Sequence, residues 1–132
     1  MTEEYSKILK KTFPDLVSRD FYFEIEDGWY QLVYDLFTNI QSHCTATGEK
    51  VIMSQVKEKF GGLRVYYNHD GGKDDSNVFN LIMEAQNKSY TICELTGGAG
   101  YPHKRGLWIK TLCKESAILL EYKDTKDIYG NV

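Results

Sequence analysis

Lys57, Lys59 and Arg64, together with Gln55, Tyr66 and Asn68, are spaced so that cations, a phenol and two amides fall on one side of a β-hairpin. Strand side chains alternate faces, and a two-residue loop needs positive φ, which glycine supplies without steric cost. A turn at Gly61-Gly62 is therefore expected, with Phe60 opposite Leu63, Lys59 opposite Arg64, Glu58 opposite Val65 and Lys57 opposite Tyr66. The other face then carries Val56, Phe60, Leu63, Val65 and Tyr67, with Glu58 among them. A polar outer face is also what one-sided burial gives, and lysines on a strand discourage edge pairing. Yet like charges directly opposite each other destabilise a sheet, and no nearby acid in the hairpin separates Lys59 from Arg64. An anion placed between them would remove that conflict. The chemistry implied is reception of a planar, anionic molecule. The lysines would neutralise phosphate, Arg64 would do so through two parallel hydrogen bonds, and Tyr66 or Trp29 would stack on a ring.

Other chemistry-bearing groups are less complete. Cys93-Glu94-Leu95-Thr96 and Cys113-Lys114-Glu115-Ser116 have the spacing of zinc knuckles, with a hydroxyl where each second cysteine would stand. A structural zinc takes four ligands, and His103 supplies only a third, so no metal or other cofactor is expected. If a knuckle persists without metal, the sulfurs of Cys93 and Cys113 should still converge. His43 and Cys44 are adjacent on a helix and point about 100° apart, a poor geometry for a nucleophile and its base. Glu58 faces apolar side chains and must be paired, hydrogen-bonded or protonated. His69 ends the hairpin. The stretch Gly97 to Gly106 is glycine-rich and ends near Lys104 and Arg105, so it reads as a flexible loop whose N–H groups and Arg105 could meet an anion. Phosphate-loop, nucleophile-elbow, His-Glu-x-x-His and deaminase signatures are all absent, and the chain is not expected to be an enzyme.

The 132 residues, 42% hydrophobic and 14% aromatic, suffice for one domain spanning residues 1–132 with its own core. A formal charge of −3 disfavours a general nucleic-acid binder, so any anion site must be local. No run reaches the ~18 apolar residues of a membrane span, and the first residues lack a signal peptide's pattern. Three cysteines do not suggest a disulfide framework. A soluble, cytoplasmic protein is expected.

The elements that must position these groups follow from periodicity. A helix is expected from Glu3 to Phe13, stopped by Pro14, then a strand over Phe21 to Ile25. Asp27 should cap a helix from about Gly28 to Cys44, with Trp29, Leu32, Val33, Leu36, Phe37 and Ile40 on its apolar stripe. The hairpin follows from about Val51. Asp70 to Ser76 forms a polar loop, and residues 77 to 89 form a helix capped by Asp75 or Ser76. Short strands are expected at Tyr90 to Cys93 and Leu107 to Leu112, then a helix from Lys114 to Lys123 and a frayed tail. The fold class is α+β: helices packed on a small antiparallel sheet, with a knuckle-like C-terminal unit.

Asp27-Gly28-Trp29-Tyr30, the run Gln55-Val56-Lys57-Glu58-Lys59-Phe60-Gly61-Gly62-Leu63-Arg64-Val65-Tyr66, Thr91-x-Cys93, Gly97, Gly100 and Trp108-x-x-Thr111-Leu112-Cys113 resemble a family of small bacteriophage and prophage proteins. The resemblance spans residues 21 to about 116. Many members carry a full Cys-x-x-Cys pair of knuckles, and this chain resembles a branch that has lost half of the ligands. A phage origin implies, by analogy of class, a counter-defence protein that sequesters a cyclic or ADP-ribose-type nucleotide signal in the host cytoplasm. The site residues would be Lys57, Lys59, Arg64, Tyr66, Trp29, Gln55, Asn68 and Arg105. Sequestration favours a homo-oligomer, because a pocket between subunits encloses its ligand. The alternatives are a nucleic-acid-binding or a protein-binding phage accessory protein.

Overall fold

The computed structural model describes residues 1–71 and 74–125. Gly72 and Lys73 of the expected polar loop, and the tail from residue 126 expected to fray, lie outside the described residues.

Helix α1 (Glu3–Thr12) has Glu3 and Glu4 in its first turn and Lys10 and Lys11 in its last, matching the helix dipole, and buries Leu9. The strand expected over Phe21 to Ile25 is shorter, β1 (Phe23–Glu24). A 3-10 turn over Asp27–Trp29 leads into α2 (Tyr30–Thr47), which ends at Gly48 in the left-handed conformation (φ 76°). Asp27 does not cap it. Its carboxylate instead accepts the Thr2 N–H at 2.7 Å, tying the N-terminal segment to the helix entry. The apolar stripe of α2 is buried as its spacing predicts.

Strands β2 (Lys50–Lys59) and β3 (Gly62–Asp70) form the expected antiparallel hairpin, and β1 lies against β2 in parallel, so the sheet is mixed and ordered β1-β2-β3. A register shift between Met53 and Gln55 lets both Met53 and Val56 point into the core. Helix α3 (Ser76–Ser89) packs on α2 and β3 through Val78, Ile82 and Ala85.

The hairpin turn differs from expectation by one position. Phe60 and Gly61 are its central residues, with φ of 54° and 83°, so Lys59 pairs with Gly62, Glu58 with Leu63 and Lys57 with Arg64. Two contacts explain the choice. Glu58 Oε2 accepts the Gly61 N–H at 2.8 Å, and a Cβ on Gly62 would stand 2.4 Å from the Tyr90 hydroxyl. Gly62 serves close packing, whereas Gly61 serves the turn. The slip preserves which strand residues share a face, except that Phe60, expected on the apolar face, moves into the turn and is exposed.

The C-terminal unit corrects three expectations. Residues 90–93 form no strand; only an isolated bridge joins Ile92 to Ala99. The supposed flexible loop contains β4 (Tyr101–Arg105), which pairs with β5 (Trp108–Leu112) and with β6 (Lys123–Asp124) in a sheet ordered β5-β4-β6. Helix α4 (Lys114–Leu119) is shorter than its expected Lys114 to Lys123. A small second core gathers Cys93, Leu112, Ala117 and Tyr122. The class is α+β, as expected.

Candidate ligand-binding groove

The hairpin tip lies against the C-terminal sheet. Thr111 Oγ1 donates to the Gly61 carbonyl at 2.6 Å, and Lys110 stands 3.1 Å from Glu94 and 3.7 Å from Glu58. Between the tip of β2–β3 and the tip of β4–β5 runs a groove of about 280 Å³, lined by Lys57, Glu58, Lys59, Phe60, Leu107, Trp108 and Ile109. Phe60 is 60% exposed, Trp108 68% and Leu107 91%. Exposed aromatic and aliphatic groups beside two ammonium groups can stack on a flat ring and neutralise a negative charge. Lys59 Nζ already sits 5.6 Å from the Phe60 ring centre.

The structure divides the expected site. Lys57 and Lys59 line the groove. Arg64 is half-buried and donates from Nη1 to the Tyr90 hydroxyl at 3.2 Å and to the Leu63 carbonyl at 3.3 Å. Tyr66 is exposed on the same face, opposite Gln55, and Asn68 lies further along, opposite Ile52. Trp29 cannot stack on a ligand: it is fully buried, with its indole N–H donating to the Ile92 carbonyl at 2.8 Å. Arg105 is held within its own unit, donating to the Leu120 carbonyl at 2.9 Å with its guanidinium carbon 4.8 Å from the Tyr122 ring.

The missing acid is supplied from outside the hairpin. Glu24 on β1 is in register with Lys57 and accepts from Gln55 Nε2 at 2.8 Å. The like-charge pair that exists is Lys57 opposite Arg64. Trp108 escaped the sequence reading. Two large apolar residues directly after Gly106, which adopts φ 60°, were the available signal, since a tight hairpin tip has no core to bury them in.

The other histidines and cysteines do not extend this site. Glu58 is satisfied by Gly61 and Lys110. His43 and His69 flank the Glu49 carboxylate, the second at 3.4 Å. The Thr47 hydroxyl, then His43 and His69, hold the Glu49 carboxyl below its usual range. His103 is buried and donates from Nδ1 to the Tyr101 carbonyl at 2.7 Å. Among the described residues no group of three His, Cys, Asp or Glu side chains is placed to hold a metal ion. A second cavity, about 540 Å³ beside α2 and α3, has Asp27, Asp35, Glu84 and Lys88 among its lining, an excess of acid that does not suit an anion.

The chain matches no family model, no curated protein and no solved structure. Among the described residues no helix is long and apolar enough to cross a membrane.

Proposed function

We propose that the protein is a non-enzymatic binder of a small anionic, flat-ringed molecule of the nucleotide class, and that it acts as a phage counter-defence protein sequestering such a signal in the host cytoplasm. The observation that carries the binding reading is the meeting of Lys57, Lys59, Phe60 and Trp108 at one groove. The biological role rests on the resemblance of the hairpin and knuckle motifs to phage proteins.

About 280 Å³ lies at the lower end of ligand pockets. It suits one ring and its phosphate, with Trp108 on the ring and the two lysines on the charge. A larger signal, such as a cyclic dinucleotide, would be enclosed only if a second copy covered the open side, so this reading includes a homo-oligomer. Native mass spectrometry with cyclic dinucleotides, ADP-ribose derivatives and mononucleotides tests it. Intact ligand retained at a fixed ratio per oligomer supports sequestration, ligand converted to product makes the protein an enzyme, and no retention removes the small-molecule reading.

The openness of two aromatic side chains to solvent favours one second reading, stacking of successive bases of a single-stranded nucleic acid. That reading predicts binding that weakens steeply with salt.

A further inference from the structure

The turn following Cys93 and the junction of β5 with α4 bring sulfur and hydroxyl groups to one point. Ser116 Oγ lies 3.8 Å from Cys93 Sγ and 3.2 Å from Cys113 Sγ, so both sulfurs contact the same hydroxyl. Thr96 Oγ1 lies 3.9 Å from Cys113 Sγ on another side. Cys93 has no exposure, Cys113 is partly exposed, and Cys44 belongs to the separate main core.

We propose that Cys93 and Cys113 form a redox-active dithiol site that a low-molecular-weight disulfide oxidises, with Cys113 as the entering thiol and Cys93 as the resolving one. The roles follow from access. A small disulfide reaches the partly exposed Cys113, whereas Cys93 reacts only with a sulfur already held beside it. In the first step the Cys113 thiolate attacks one sulfur of the small disulfide. A mixed disulfide forms, the small S–S bond breaks, and one small thiolate leaves and takes up a proton. In the second step the Cys93 thiolate attacks the Cys113 sulfur and expels the remaining small thiolate, which is also protonated. The protein loses two thiol protons and two electrons, and the small disulfide becomes two thiols.

The surroundings of Cys93 support the second step. Burial works against its anion, but the Thr96 hydroxyl and the N–H groups of Cys113, Thr96 and Leu95 outweigh it and bring the thiol down to about 7. A thiol titrating near neutral pH is well suited to attack, being substantially ionised and still nucleophilic. The bond would join the knuckle turn to the end of β5, the strand that presents Trp108 and Ile109 to the groove.

The full chain is equilibrated in glutathione redox buffers at neutral pH, quenched with acid, alkylated and weighed intact. The expected product is two hydrogens lighter and has lost two alkylation sites. Peptide mapping joins Cys93 to Cys113, and dithiothreitol reverses the change. Cys44→Ser behaves as the wild type, Cys93→Ser stops at a glutathione adduct on Cys113, and Cys113→Ser gives no adduct on Cys93. Absence of an oxidised form at every buffer ratio overturns the proposal, as does a bond through Cys44 or an adduct on Cys93 in Cys113→Ser. The wild-type measurement decides the matter even where a variant fails to fold.

Discussion

Trp108 presents most of its surface to solvent beside two ammonium groups, so its removal separates binding from folding. Trp108→Ala is expected to weaken a bound nucleotide by about tenfold or more, since stacking of one base contributes ~1–3 kcal/mol, with the melting temperature nearly unchanged. Calorimetric titration of the wild type and the variant with the same ligand checks it. Arg64→Ala should behave oppositely. Losing the bonds to Tyr90 and Leu63 is expected to cost about 1 kcal/mol of stability while changing affinity only a few-fold, and abolished binding would return Arg64 to the site. Alternation alone placed Lys57 and Lys59 on the ligand side. It could not reveal that Arg64 is engaged, because its partner Tyr90 is 26 residues away in sequence. Nor could it reveal Glu24, which reaches Gln55 through a parallel pairing with a strand outside the hairpin. Tyr67 offers a pH test at the same scale. Burial first, then the 2.6 Å bond to Asp75 and that residue's charge, push its phenol up to about 12. The folded chain holds this proton more tightly than the unfolded one, so the site's contribution is intact below pH ~10 and lost as pH rises through the folded value. An ultraviolet titration should show a late tyrosine that shifts earlier in Asp75→Asn.

Among the elements, the hairpin turn makes the sharpest demand on sequence. Gly62→Ala would push a methyl group against Tyr90 and is expected to cost ~1–3 kcal/mol, the usual penalty of overpacking. Urea unfolding should show Tyr90→Ala recovering part of that loss, and independent, additive costs would refute the clash. The Gly-Gly pair was legible as a turn, but its register was not, because Glu58 and Tyr90 choose between the two placements. Helix α2 was readable because six apolar residues at helical spacing all meet one core. Strand β4 was hidden for a matching physical reason. Tyr101-Pro102-His103-Lys104-Arg105 has no apolar alternation, and its pairing with β5 and β6 comes from segments that follow it. Pro102 stands at its second position, and among the described residues the β6 register covers His103 and Lys104.

At the scale of the whole molecule, Lys110 joins the two sheets by standing between Glu58 of the hairpin and Glu94 of the turn after Cys93. Glu94 is almost fully buried, and its other oxygen accepts the Glu26 N–H at 3.1 Å ahead of α2. Both partners' values rise, for opposite reasons. Burial lifts the Glu94 carboxyl above its usual range despite Lys110, whereas Glu94's charge outweighs burial at Lys110 and raises the amine. Burial governs at the more enclosed group, Glu94. Its folded form holds a proton more tightly, so ionisation costs stability as pH rises through its raised value. Lys110's contribution is present below the ordinary lysine range and is lost as pH rises through its own raised value. Lys110→Ala strands the carboxylate and is expected to cost ~3 kcal/mol near neutrality, as broken buried pairs do. In urea titrations at several pH values, the gap from wild type should narrow in acid, and a constant gap would contradict the burial argument. The bond from Thr111 to the Gly61 carbonyl spans 50 residues of chain. A chain growing from its N-terminal end completes the hairpin long before Thr111 is made. Until then the Gly61 carbonyl has only solvent, or another nascent chain, to meet. The N-terminal sheet is thus the mould against which the C-terminal sheet is cast, and the interval between them is when this protein is most open to misassembly.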